Sequence, residues 1–281
     1  MRTRFALCCV LLLATPLHAD APPAALVDAL FTAARFEENL ENLREAAIAD
    51  WRHTGENVLS AGDDPAWDAA ILENNDPARI AAEFRQGFLT VPFPQAEMET
   101  AIAELQTPFG QRLTQIGLDI SALLGAAGNL AGDFAAAELT NGPRVLAADR
   151  VLALRGSVDT HFAFLRDSEL AYILGLNGGT LVDSALLDHV DQTTQDYMAD
   201  WDSHFEDMRD GVTLSYRQMF FLVTEGFTPD EVEAWVTRAE QPWAQAFEAA
   251  FQAGFREAYR HSMYRQGQAV AVWDNATVAN D

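Results

Sequence analysis

Apolar residues recur at helical spacing along nearly the whole chain, and this restricts the possible fold more than any other feature. Phe36, Leu40, Leu43, Ala47 and Trp51 follow one another at steps of three and four, the spacing that lines one face of an α-helix. Val190, Thr194, Tyr197, Trp201, Phe205, Met208 and Val212 form a second stripe of the same kind. No segment shows the apolar/polar alternation and β-branched enrichment of a strand. An all-α protein follows, with helices that bury their stripes against one another.

Helix breakers divide the pattern at Gly62-Asp63-Asp64-Pro65, Asp76-Pro77, Asn141-Gly142-Pro143 and Asn177-Gly178-Gly179. The most apolar stretch, Ile120 to Ala131, is too short to cross a bilayer and carries Gly125 and Gly128. It reads as a buried helix end followed by a connector. From about Gly267 the period fades through Trp273-Asp274-Asn275-Ala276-Thr277, and residues 267–281 are expected to form a flexible tail.

The two halves of the chain resemble each other. A gapless shift of 134 residues aligns Trp67-Asp68 with Trp201-Asp202, Asp76 with Asp210, Thr90 with Thr224 and Phe93 with Phe227. The same shift aligns Glu97 and Glu99 with Glu231 and Glu233, Pro108 with Pro242, and Gln111 with Gln245. These are nine identities in 45 positions, and they include helix punctuation, so an internal duplication is the better explanation. In the second copy Thr228-Pro229-Asp230-Glu231 reads as the start of a helix, with Thr228 and Glu231 forming a capping box. Phe227 before the cap and Val232 after it form a hydrophobic staple. In the first copy Pro94 replaces the capping Thr, so that helix start should be weaker.

The expected architecture is thus two tandemly related antiparallel helical units packed into a helical bundle, over residues 20–128 and 129–266. Residues 1–19 read as a signal peptide. Arg2 and Arg4 form a basic start, Phe5 to Ala14 an apolar run, and Pro16 precedes a cleavage site after Ala19. Cleavage would remove Cys8 and Cys9, leaving a periplasmic chain with neither disulfides nor thiol chemistry and with no expected membrane span. The mature chain would carry 16 basic and 42 acidic residues, and every basic one is Arg. A field of that sign repels phosphates and anionic head groups, which excludes nucleic acid as a partner and disfavours membrane surfaces.

Two segments carry a family likeness. They are Phe93-Pro94-Gln95-Ala96-Glu97 through Thr107-Pro108-Phe109-Gly110, and Phe227-Thr228-Pro229-Asp230-Glu231 through Gln241-Pro242-Trp243-Ala244. A short acidic helix followed by an aromatic stretch broken at Ser/Thr-Pro-x-Gly resembles the bacterial exported proteins grouped as domain of unknown function 2059. The segment from Arg144 to Gly156-Ser157 is similar to that family's opening helix and turn. The second copy departs from the pattern at Gln241 and Ala244. The resemblance implies an all-helical periplasmic domain and brings no catalytic residues with it.

For chemistry, the candidate set is Asp196, Asp200, His204 and Asp207, spaced by four, four and three along one expected helix face. Such residues can bind a divalent cation and support a metal-dependent hydrolase, although in so acidic a chain they also read as a solvated face. Glu97/Glu99 and Glu231/Glu233 do not read as a hydrolytic pair, because residues two apart on a helix point in different directions. His53, His161, His189 and His261 have no triad or zinc spacing, and no Gly-x-Ser-x-Gly or His-Glu-x-x-His motif occurs. Trp67, Trp201, Trp235 and Trp243 read as core, and any found exposed would mark a groove. The leading expectation is a non-catalytic binding or envelope-associated protein without a cofactor, whose ligand is a protein partner or a small apolar molecule.

Overall fold

The computed structural model describes residues 22–57, 64–127, 142–154, 157–182 and 184–278. The proposed signal peptide, with both cysteines and the Ala19 cleavage site, lies outside the described residues, as does the expected connector from Gly128 to Ala131. Within them the chain is all-α: α1 (Ala24–Ala33), α2 (Phe36–Asn57), α3 (Pro65–Asn74), α4 (Pro77–Phe88), α5 (Gln95–Leu105) and α6 (Pro108–Ala127). There follow α7 (Pro143–Leu154), α8 (Ser157–Leu176), a 3-10 turn (Ser184–His189), α9 (Gln192–Ser203), α10 (Phe205–Val223), α11 (Pro229–Ala239) and α12 (Pro242–Val278). No described helix is long and apolar enough to cross a membrane.

The punctuation works as its chemistry dictates. Asp64 accepts from the Ala66 amide and Asp76 from the Arg79 amide, each capping a helix whose first residue is proline. Thr228 and Glu231 form both bonds of the capping box at the start of α11, whereas Pro94 at the start of α5 supplies no side-chain cap. Helices α5 and α11 begin and end 134 residues apart, and so do the first residues of α6 and α12.

Packing is reciprocal between the halves. Leu30, Phe36, Phe84, Phe88 and Met98, from α1, α2, α4 and α5, form one core that is completed by Trp243, Ala250 and Ala258 of α12. Val145, Val151, Phe220, Val232 and Val236, from α7, α10 and α11, form another, against which Phe109, Leu113 and Ile116 of α6 pack. Each half therefore lends its last long helix to the core of the other, and neither core closes without it. Apolar burial of this kind contributes roughly 25 cal/mol per Å² of area removed from water.

Helix α12, about 55 Å long at 1.5 Å per residue, is the spine. It runs antiparallel to α4, with Glu83 near Arg265 and Gly87 near Ala253. It runs parallel to α8, with Phe164 stacked on Phe255 and Gly175 against Tyr264. A parallel pairing is possible because α9, α10 and α11 intervene in sequence; only a short loop would force neighbours antiparallel. Where α8 and α12 cross, the backbones nearly touch. A Cβ on Gly175 would lie 2.0 Å from the Tyr264 carbonyl oxygen, and one on Gly267 would lie 2.1 Å from that of Tyr172.

Two local expectations are corrected. The chain from Gly267 is no aperiodic tail but continues as helix to Val278, because Val270 and Trp273 pack on Trp67, Ile71 and Tyr172. The Trp273 ring meets that of Trp67 edge-on at 6.0 Å. The second apolar stripe is not one helix: α9 stops at Ser203 and α10 restarts at Phe205. Within α9 the buried residues are Thr194 and Met198, while Tyr197 is 42% exposed and donates its hydroxyl to Glu169. Both side chains meet α8, but Met198 is the one buried, packed with Leu170 and Leu174, while Tyr197 reaches Glu169 at the rim.

Candidate functional site

A recess lies where the α5–α6 corner meets the α11–α12 corner. Each corner is a helix end followed closely by proline, which opens the next helix. In the first corner Thr107 donates to the Glu104 carbonyl and accepts from the Gly110 amide, fixing the turn. In the second, Gln241 holds the Thr237 carbonyl instead.

Between the corners, Arg238 Nη1 lies 3.1 Å from Glu104 Oε2. Its guanidinium also sits 4.9 Å over the Trp243 ring, and its side chain is only 13% exposed. Burial lowers the Arg238 pKa and Glu104 opposes that shift, but an arginine stays charged here.

Glu231 accepts from the Thr228 amide at 2.8 Å and from Arg112 at 2.6 Å. The amide first, then Arg112, holds its carboxyl below the usual carboxylate range. Arg112 also caps the face of Phe227, 4.3 Å from the ring centre. Glu233 points the other way and meets Arg150 of α7 at 3.2 Å. The two carboxylates thus serve different partners, as their spacing requires.

On one side of Arg238 and Trp243 is a recess of about 140 Å³ whose walls include Leu105, Leu113, Val151, Leu154, Trp235 and Phe247. On the other side is a broader, open cleft of about 740 Å³, bordered by Glu104, Phe109, Asp230, Glu233 and Gln241. Arg238 and Trp243 line both. A third depression, of about 520 Å³, lies between α1, α2 and α4 around Phe31 and Phe36. Its rim holds Arg35, whose φ of +50° is left-handed. Arg35 is paired with Glu38 and bonded to Gln115.

No family model, curated protein or solved structure matches this chain.

Of the four residues proposed for a divalent cation, the side chains of Asp196, Asp200 and His204 are described. Asp196 is exposed and accepts from Gln192 at 2.8 Å. Asp200 is exposed, and its carbonyl oxygen lies 2.9 Å from His204 Nδ1. His204 is the junction residue between α9 and α10, so the single helix face on which the four would align is interrupted there. The side chain of Asp207 lies outside the described residues. Among the described residues no group of three or more His, Cys, Asp or Glu side chains is placed to hold a metal ion.

The tryptophans divide as their surroundings dictate. Trp67 and Trp243 are buried, Trp201 and Trp235 half-buried, and Trp235 stacks on Phe220 at 4.9 Å. Sequence reasoning does not reach Arg238, Leu113 and Val151 as recess residues, because each belongs to a different helix. One signal for Arg238 is present in the sequence, since it stands 134 residues from Glu104.

Proposed function

We propose that the protein is an exported, periplasmic binding protein without catalytic activity, built from two copies of a helical unit akin to domain of unknown function 2059. Its binding face is the recess between the α5–α6 and α11–α12 corners. The observation that carries this reading is the apolar lining of that recess, including Leu105, Leu113, Val151, Leu154, Trp235 and Phe247, beside a fixed guanidinium and open on one side. Ligand sites are typically apolar concavities with a few placed polar groups. At about 140 Å³ the recess fits one aromatic ring or one large aliphatic side chain. The duplication is supported by the matched helix bounds and by the exchange of α6 and α12 between the two cores.

Toluene is a suitable probe. Saturation-transfer NMR should detect its binding to the native protein and lose the signal in Leu113→Trp, which fills the recess. No transfer at millimolar toluene, or equal transfer in the filled variant, would count against the site. Export is tested separately: protein recovered from a periplasmic fraction should begin at Asp20, the residue after the proposed cleavage.

A further inference from the structure

We infer that the occupant of this recess is a basic protein segment, with one apolar side chain inserted and flanking Arg or Lys residues lying along the adjoining cleft. The inference rests on the reading of the recess as a binding site and adds what binds there. Three observations lead to it. The first is size. The apolar recess of about 140 Å³ is well below the roughly 300–1,000 Å³ of a site that encloses a whole small molecule. A ligand anchored there must continue outside, and the space that continues it is the open cleft of about 740 Å³ sharing Arg238 and Trp243.

The second is the sign of the border. Glu104, Asp230, Glu233 and Glu248 line the two depressions, against Arg238 as the only cation in either lining among the described residues. Glu104 is paired with Arg238 and Glu233 with Arg150 of α7, so the acid turned to the open side is Asp230. That cation is already neutralised by Glu104 and held against Trp243. An anionic ligand would find no free positive charge in these linings, whereas a cationic segment finds the exposed Asp230 at the open side.

The third is the field of the whole chain, with 42 acidic residues against 18 basic ones. Such a field accelerates encounter with a cationic partner and rejects an anionic one. An apolar anchor in a pocket, surrounded by complementary charge, is how protein interfaces concentrate their affinity.

The experiment compares three probes by calorimetry on the full protein at low and physiological salt. They are a peptide with one Phe between arginines, the same peptide with glutamates in place of arginines, and toluene. The arginine peptide should bind, weaken with salt, and lose at least about tenfold in affinity in Leu113→Trp, a variant of unchanged charge. Asp230→Asn should weaken it about threefold and leave toluene binding unchanged. Each variant's thermal melt confirms that it folds.

Binding of the arginine peptide that is indifferent to Leu113→Trp would be charge attraction alone and would overturn the inference. So would equal affinity for the glutamate peptide. If toluene binds and the arginine peptide does not, the recess stands as a binding site and the basic-partner inference fails. If neither binds, both fail.

Discussion

Glu104 and Arg238 occupy the same place in two helices whose bounds are offset by 134 residues, and they pair with each other at 3.1 Å. Each is the second-to-last residue of an 11-residue helix. These two positions, 134 residues apart, carry opposite charges, so their contact is attractive where like charges would repel. Glu104→Ala should cost about 1–2 kcal/mol: the carboxylate is partly exposed, but the nearly buried Arg238 guanidinium loses its partner. Arg238→Ala should cost more, about 1–3 kcal/mol, through loss of packing on Trp243 as well as of the pair. Exchanging the two, as Glu104→Arg with Arg238→Glu, should recover part of the loss seen in either single reversal. Urea unfolding of the native protein, the two single reversals and the exchange measures the coupling.

The α8–α12 crossing leaves no room for a side chain at Gly175 or Gly267. Gly175→Ala or Gly267→Ala would drive a Cβ into a carbonyl oxygen, forcing the helices apart. Each should lower stability by about 1–3 kcal/mol. At Gly211, in α10, an added Cβ would have open space within 4 Å, so Gly211→Ala should stabilise by up to about 1 kcal/mol. Opposite shifts in melting temperature distinguish the two sites.

Removing the Thr228 hydroxyl should destabilise by about 1 kcal/mol at neutral pH. The other half of the box titrates. The Glu231 carboxyl is held below its unfolded pKa, so its stabilising contribution is present above that unfolded value. The contribution is lost as pH falls through the lower folded value. Unfolding measured from neutral to acid pH should therefore show a steeper fall in the native protein than in Glu231→Gln over the same range.

Glu83 of α4 and Arg265 of α12 join the halves in a pair of which only 14% and 12% of the side chains are exposed. His261 and Glu257 lie beside it, bonded at 3.1 Å. Glu83→Ala leaves a buried guanidinium uncompensated and should cost about 3 kcal/mol. Replacing both by Met should restore much of that, since hydrophobic residues of similar volume often match a buried ion pair. Chemical denaturation of the single and double variants tests the point.

The sequence by itself determined the elements and their punctuation. Apolar spacing produced helices, and Asp-Pro and Thr-Pro-Asp-Glu started them where the structure has α3, α4 and α11, because caps and prolines act within one turn. It also placed α5 and α11 in register, with Glu104 opposite Arg238 in the numbering. Tertiary structure decided the rest. Near Gly267 the helical period is weak, yet the segment is helical because Trp67 and Tyr172 cover Val270 and Trp273, contacts that come from distant parts of the chain. The stripe through Tyr197 breaks at His204, and within α9 the residue buried against α8 is Met198, neither of which periodicity can foresee. The recess is assembled from α5, α6, α7, α11 and α12, and the order in which such helices pack depends on long-range burial. Local spacing specifies which face of a helix is apolar; only packing specifies what that face meets.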